Sequence, residues 1–209
     1  MKLPLQWQGA AIVAIFIVYL VGLIGFLFYP TTFTQLTPFN ILYCSILALA
    51  FHRSWGWQKW VLCISIFIAG FLVEWLGVET GLIFGNYFYG DTLGYKIGNI
   101  PVLIGLNWLL LIYCTATIAG KLFQNIYVRC IVGAFLMVFI DLVLEPFAIQ
   151  YGLWSWQHTE VPMRNYVAWW LISFAMLYPV FKLQLPERNR VAIAVYIAQF
   201  VFFLLLLVF

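Results

Sequence analysis

Three carboxylic acids stand inside long apolar runs: Glu74, Asp141 and Glu145. An acid inside a membrane helix costs roughly 3 kcal/mol on insertion scales, so its presence calls for a use. Asp141 and Glu145 are four residues apart and share one helix face. Pro146 follows at once, removes a hydrogen bond to the carbonyl of Leu142 and is placed to kink the helix there. An apolar site favours a neutral carboxyl group over a charged one, and a second acid alongside favours it further. The chemistry expected of such a cluster is proton donation by one acid, with another as its partner. The competing structural reading has acids at helix ends facing the interface or joining helices by hydrogen bonds. Three acids on two helices weigh toward chemistry.

A metal centre is the other use of clustered acids. Mg²⁺ is expected with acid-rich clusters and a diphosphate substrate. Here no Asp-x-x-x-Asp pair occurs on two helices, and only Lys96 and Arg164 lie on the acids' side. A diphosphate substrate is disfavoured, an uncharged lipid fits better, and no metal site is read here. Cys44, Cys63, Cys114 and Cys130 form no Cys-x-x-Cys pair and read as small buried hydrophobes. The glycines from Gly77 to Gly98 match no phosphate loop and read as tight turns in a re-entrant or surface segment.

Aromatic residues surround the acids: Trp75, Trp108, Trp169, Trp170, Tyr87 and Tyr89. Most fit an interfacial belt. Trp75 and Trp108 are expected to line a pocket and stabilise a carbocation by cation–π attraction, with Tyr87 beside them. Asn107 and Asn165 each open a helix and are placed to position a water or an acid. His158 reads as an exposed loop residue.

The elements that position these residues must be membrane helices. Of 209 residues, 66% are hydrophobic and 8% charged, with mean hydropathy +1.02. Soluble domains carry about 25% charged residues. A soluble fold, a disordered chain and a nucleic-acid-binding protein are excluded. The apolar segments are continuous and do not alternate, which argues against a β-barrel. A membrane helix takes about 20 residues. The expected fold is an all-α polytopic bundle of about seven spans, over 9–28, 36–51, 58–77, 101–120, 129–148, 166–183 and 191–209, in one membrane domain 1–209. The first run reads as a retained helix and not a signal peptide. Pro30, Pro38, Pro101, Pro162 and Pro186 are expected to punctuate the connections.

Seven spans sort the cations sharply. Lys2, Arg53, Lys59, Lys121, Arg129, Lys182, Arg188 and Arg190 fall on one side, and Lys96 and Arg164 on the other. The positive-inside rule makes the N-terminus cytoplasmic, which suits a bacterial inner membrane. All the acids except Glu187 fall on or near the outer side, where the two long connections, 78–100 and 149–165, also lie. Those connections follow a weak parallel repeat of spans 3–4 and 5–6: Glu74, six residues, Gly81-Leu82, against Glu145, six residues, Gly152-Leu153. Aromatics, a Pro, an Asn and a Trp follow in each. Sites in repeated membrane folds sit at the repeat interface.

The stretch Glu74-Trp-Leu-Gly-Val-Glu-Thr-Gly-Leu-Ile-Phe-Gly-Asn-Tyr-Phe-Tyr, then Leu93-Gly94 and Ile100-Pro101-Val, resembles the carotenoid 1,2-hydratase family of bacteria and archaea. So does Asp141-Leu-Val-Leu-Glu145-Pro146, followed by Gly152-Leu-Trp-Ser-Trp and Val161-Pro162. The resemblance covers about residues 70–170. It implies a membrane enzyme of carotenoid biosynthesis that adds water across the terminal 1,2 double bond of an acyclic end group, of γ-carotene or lycopene type, without a cofactor. The implied partners are the carotenoid drawn from the bilayer, water, membrane lipid and other enzymes of the pathway, with no nucleic acid. Acid-catalysed hydration through a tertiary carbocation needs a donor, a base and a held water. Asp141 is the expected donor, Glu145 and Glu74 tune it or orient water, and Asn107 holds that water. The family has Asp where this chain has Glu145, which leaves the division between donor and partner open. Three alternatives also stay open: a membrane carotenoid or terpene cyclase using the same acids, a proton-coupled transporter, and a carotenoid-binding protein without chemistry.

Overall fold

With no water in the bilayer core, an apolar chain satisfies its backbone groups within itself, and helices do so most directly. In the computed structural model, which describes residues 6–158, 160–186 and 188–208, the apolar runs form seven α-helices. They are α1 (Trp7–Phe28), α2 (Pro30–Ala50), α3 (Trp57–Thr80), α4 (Leu103–Leu122), α5 (Ile126–Gln150), α6 (Met163–Lys182) and α7 (Arg190–Val208). Six are long and apolar enough to cross a membrane. The exception is α6, which has 20 residues but carries Arg164, Asn165, Ser173 and Lys182. The protein is an all-α polytopic membrane protein. Lys2 and Glu187 lie outside the described residues.

The bundle is built around α4. Every residue from Trp108 to Thr117 is buried. Helices α2, α3, α5 and α7 all pack on α4, while α6 packs mainly on α5 and α1 on α7. The outer faces expose Ile17, Leu20, Ile64, Phe139 and Leu171, as lipid-facing helices do. Close approach of α3 to α4 depends on Gly70, where a Cβ would come 2.5 Å from Trp108 Cβ.

One proline expectation is corrected. Pro38 does not punctuate a connection. It lies inside α2, which starts at Pro30 and runs 21 residues instead of opening near 36. Pro30 occupies the first turn, where a missing N–H costs nothing. Membrane helices tolerate an interior proline because neighbouring groups re-satisfy the freed carbonyl. Pro146 lies inside α5, within the expected span, and the helix continues to Gln150.

The long connections are not plain turns. The first holds β1 (Tyr87–Tyr89), a 3₁₀ turn (Asp91–Leu93), β2 (Lys96–Ile97) and β3 (Ile100–Pro101). The second holds β4 (Trp154–Trp156). β2 pairs with β3, and β1 pairs antiparallel with β4, placing Tyr87 opposite Trp156 and Tyr89 opposite Trp154. The β1–β4 ribbon ties the α3–α4 hairpin to the α5–α6 hairpin. Gly90 lies against the carbonyl of Gly152, where a side chain would not fit.

Candidate active site

Seven residues beyond each glutamate, a glycine in the left-handed region turns the chain back: Gly81 at φ 63° and Gly152 at φ 66°. That conformation suits glycine because it lacks a Cβ. The returning segments then form β1 and β4. Along a strand, alternate residues face the same way. Tyr87 and Tyr89 therefore point together, as do Trp154 and Trp156, and all four aim at carboxylates.

Glu74 receives three donors. The Tyr87 and Tyr89 hydroxyls both donate to Oε2, the latter at 2.8 Å. Trp108 Nε1 donates to Oε1 at 2.9 Å. Burial, and then the facing Glu74 carboxylate, hold both phenols well above the ordinary tyrosine range. They stay protonated and remain donors.

Glu145 is served by the second hairpin. Trp154 and Trp156 Nε1 donate to Oε2 at 2.9 and 3.0 Å. Asn165 Nδ2 lies 3.5 Å from Glu145 Oε1 and donates to Asp141 Oδ2 at 2.8 Å, so one amide spans both acids. The other Asp141 oxygen, Oδ1, is buried without a hydrogen-bond partner among the described residues. The Trp108 and Trp169 rings stack at 4.4 Å and 20°, joining the hairpins beneath the ribbon. All three acids are buried, Asp141 completely.

The structure thus brings together Glu74, Asp141, Glu145, Tyr87, Trp108 and Asn165. Two expected residues stand apart. Trp75 is 43% exposed on the outer face of α3 and makes no hydrogen bond to the acids. Asn107 points away from its neighbour Trp108, into an apolar cavity of about 410 Å³ between α1, α2, α4, α5 and α7. Tyr89, Trp154 and Trp156 were not among the expected site residues. Their signal was present as Tyr-Phe-Tyr and Trp-Ser-Trp, an alternation that puts two donors on one strand face. None of the acids lines the cavity, yet Trp154 does, while its Nε1 holds Glu145. That indole is the partition between cavity and acids.

Comparison with known proteins decides the family. The profile of the carotenoid biosynthesis protein family matches residues 36–209, well over half the chain. The chain belongs to that family. It is also similar to a bisanhydrobacterioruberin hydratase of Haloarcula japonica, 26% identical over 116 residues. This alignment covers 52% of the chain and 40% of that relative. No solved structure matches. The family match begins inside α2 and runs through α7, so it takes in every residue of the carboxylate cluster.

Proposed function

We propose that this member of the carotenoid biosynthesis family adds water across the terminal 1,2 double bond of an acyclic carotenoid end group, of γ-carotene or lycopene type. The carrying observation is the asymmetry of Asp141: Oδ2 accepts from Asn165 while buried Oδ1 has no partner. A carboxylic acid fixed at one oxygen and open at the other is suited to hold a proton on the open oxygen. The similarity to a hydratase supports the reading.

In the proposed mechanism the Asp141 Oδ1 proton moves to C2 of the alkene. The π electrons form the new C–H bond and leave a tertiary cation at C1. The Trp108–Trp169 stack offers aromatic faces to that charge. A water oxygen bonds to C1, its surplus proton passes to Glu145, and return of a proton to Asp141 closes the cycle. The product is a tertiary alcohol heavier than the substrate by one water. Asn165 positions both acids, and Glu74, held by three donors, anchors the ribbon above them. The substrate enters from the bilayer, displacing the Trp154 partition. Other enzymes of the pathway supply it. We place the protein in the cytoplasmic membrane of a bacterium, with the acids at the outer side, by the distribution of Lys and Arg.

The test is expression in hosts that accumulate lycopene or γ-carotene, with Asp141→Asn in parallel and mass analysis of the pigments. A pigment heavier by one water, lost in the variant, is the expected result. An isomer of unchanged mass turns the assignment to a cyclase. Unchanged pigments, with the protein found in the membrane, refute hydration of these substrates and bring forward the transporter and the binding protein.

A further inference from the structure

The cavity between α1, α2, α4, α5 and α7 has no charged side chain in its lining. Its mouth includes Ile17, Val21, Leu36 and Phe39, all largely exposed on the lipid-facing surface. A chain longer than the cavity therefore extends into the bilayer. Yet the lining is not wholly apolar. Gln199 from α7 and Thr37 from α2 both face the cavity, and both carry a buried oxygen, Gln199 Oε1 and Thr37 Oγ1, without a hydrogen-bond partner among the described residues. Gln199 as a whole is 5% exposed. Thr37 also forgoes the bond to the preceding turn that Thr34 makes to the Pro30 carbonyl at 2.8 Å. Unsatisfied polar groups in an apolar interior are costly, and native structures retain them mainly where something else completes them.

We infer that this cavity binds a long apolar chain through a neutral hydroxyl group, which Gln199 and Thr37 receive. The chemistry of the two oxygens narrows the ligand. A carboxamide oxygen only accepts, so its partner must donate. A threonine hydroxyl can both donate and accept. A ligand hydroxyl satisfies either one, whereas an ether or a hydrocarbon end offers no donor to Gln199 Oε1. A phosphate or a carboxylate is disfavoured, because no cation lines the cavity. Taking the chain to be a carotenoid rests on the proposed function. The hydroxyl is then either the one just formed or one already present at the far end of the molecule. Both share the chemistry the cavity recognises.

The experiment measures retention and not turnover. Purified full-length protein in micelles is equilibrated with an equimolar mixture of lycopene, 1-hydroxylycopene and the 1-methyl ether of that alcohol. The protein is separated by size, and the retained pigments are quantified against empty micelles. About ten-fold enrichment of the alcohol over the other two is expected, the worth of one net hydrogen bond. Gln199→Leu and Thr37→Val should each reduce that enrichment, and together abolish it, with lycopene retention unchanged. The unchanged retention shows that the variants are folded. Equal retention of all three pigments by the natural protein overturns the inference. So does a preference that survives both substitutions, and so does retention of none. Because Asp141→Asn removes the proposed donor and leaves the cavity intact, its enrichment should persist; loss of enrichment in that variant means that turnover of lycopene produced it, and overturns the inference. A protein that enriches the alcohol but never hydrates lycopene or γ-carotene would refute the proposed reaction and leave this site standing.

Discussion

In the α3–α4 hairpin one carboxylate, Glu74, takes three donors, two phenols and an indole. In the α5–α6 hairpin two carboxylates share two indoles and one amide, and an oxygen of Asp141 is left over. The parts come in the same order in both: glutamate, left-handed glycine, a strand with donors at alternate positions, then a donor from the returning helix. The extra acid, Asp141, has no counterpart in α3, where the equivalent position, one turn before Glu74, is Gly70. Gly70 admits Trp108 against α3, so that half closes on its glutamate. The same architecture makes a saturated joint on one side and an open acid on the other.

Substitutions should separate the two halves. The largest effect is expected from Asp141→Asn, which keeps the shape and removes the proton. Removal of a general acid costs about 10²- to 10⁴-fold in rate. Hydrated pigment formed per folded protein should fall at least 100-fold, while the melting temperature in detergent moves little. A variant that retains activity would transfer the donor role to Glu145.

Glu74→Gln should behave in the opposite sense. The amide nitrogen cannot accept, so at least one of the three donors loses its partner. An unsatisfied buried group costs about 1–3 kcal/mol. Thermal unfolding should shift down by several degrees, with less loss of specific activity than in Asp141→Asn. If Glu74→Gln proved as stable as the natural protein and fully inactive, Glu74 would be chemical and the contrast between the hairpins would collapse.

Trp154→Phe removes one donor to Glu145 and thins the partition toward the cavity. Loss of a hydrogen bond to a charged group is worth about 1.5–3 kcal/mol, so roughly ten- to hundred-fold slower turnover is expected. Trp108→Phe, made on the saturated side, should act mainly on stability.

The ribbon gives a pH test. Tyr87 and Tyr89 bind their protons more tightly in the folded protein than at the ordinary value of 10.0. Above that pH the unfolded chain releases protons that the folded chain keeps. Stability is therefore unaffected by these groups below about pH 10 and falls as the pH rises beyond it. Tyr87→Phe should flatten the alkaline slope of the melting temperature, and an unchanged slope would rule out this origin. Smallest of all, Trp75→Phe on the lipid-facing side of α3 should leave both rate and stability within error.

Much of this was legible in the residues. The three acids, Asn165, Tyr87 and Trp108 meet as their types and depth implied. The two misplaced site residues share one cause, adjacency along a helix. Trp75 follows Glu74, and Asn107 precedes Trp108, but consecutive helical residues do not face one another. If Glu74 and Trp108 point inward, Trp75 and Asn107 must point elsewhere. Pro38 misled for another reason: in a bilayer, proline inside a helix is tolerated, so it marks boundaries less reliably than in water.

By itself the sequence determined the helices and their number, because hydropathy and helical period are local properties that the bilayer reads span by span. Only the tertiary structure decided which donors serve which carboxylate, that one oxygen of Asp141 has none, and that Trp154 stands between the acids and the cavity. Those outcomes depend on how two connections cross and pair above the bundle, as Gly90 meeting the Gly152 carbonyl shows. A hydrogen bond joining Glu74 to Trp108, or Asp141 to Asn165, is settled by that packing and by no pattern along the chain.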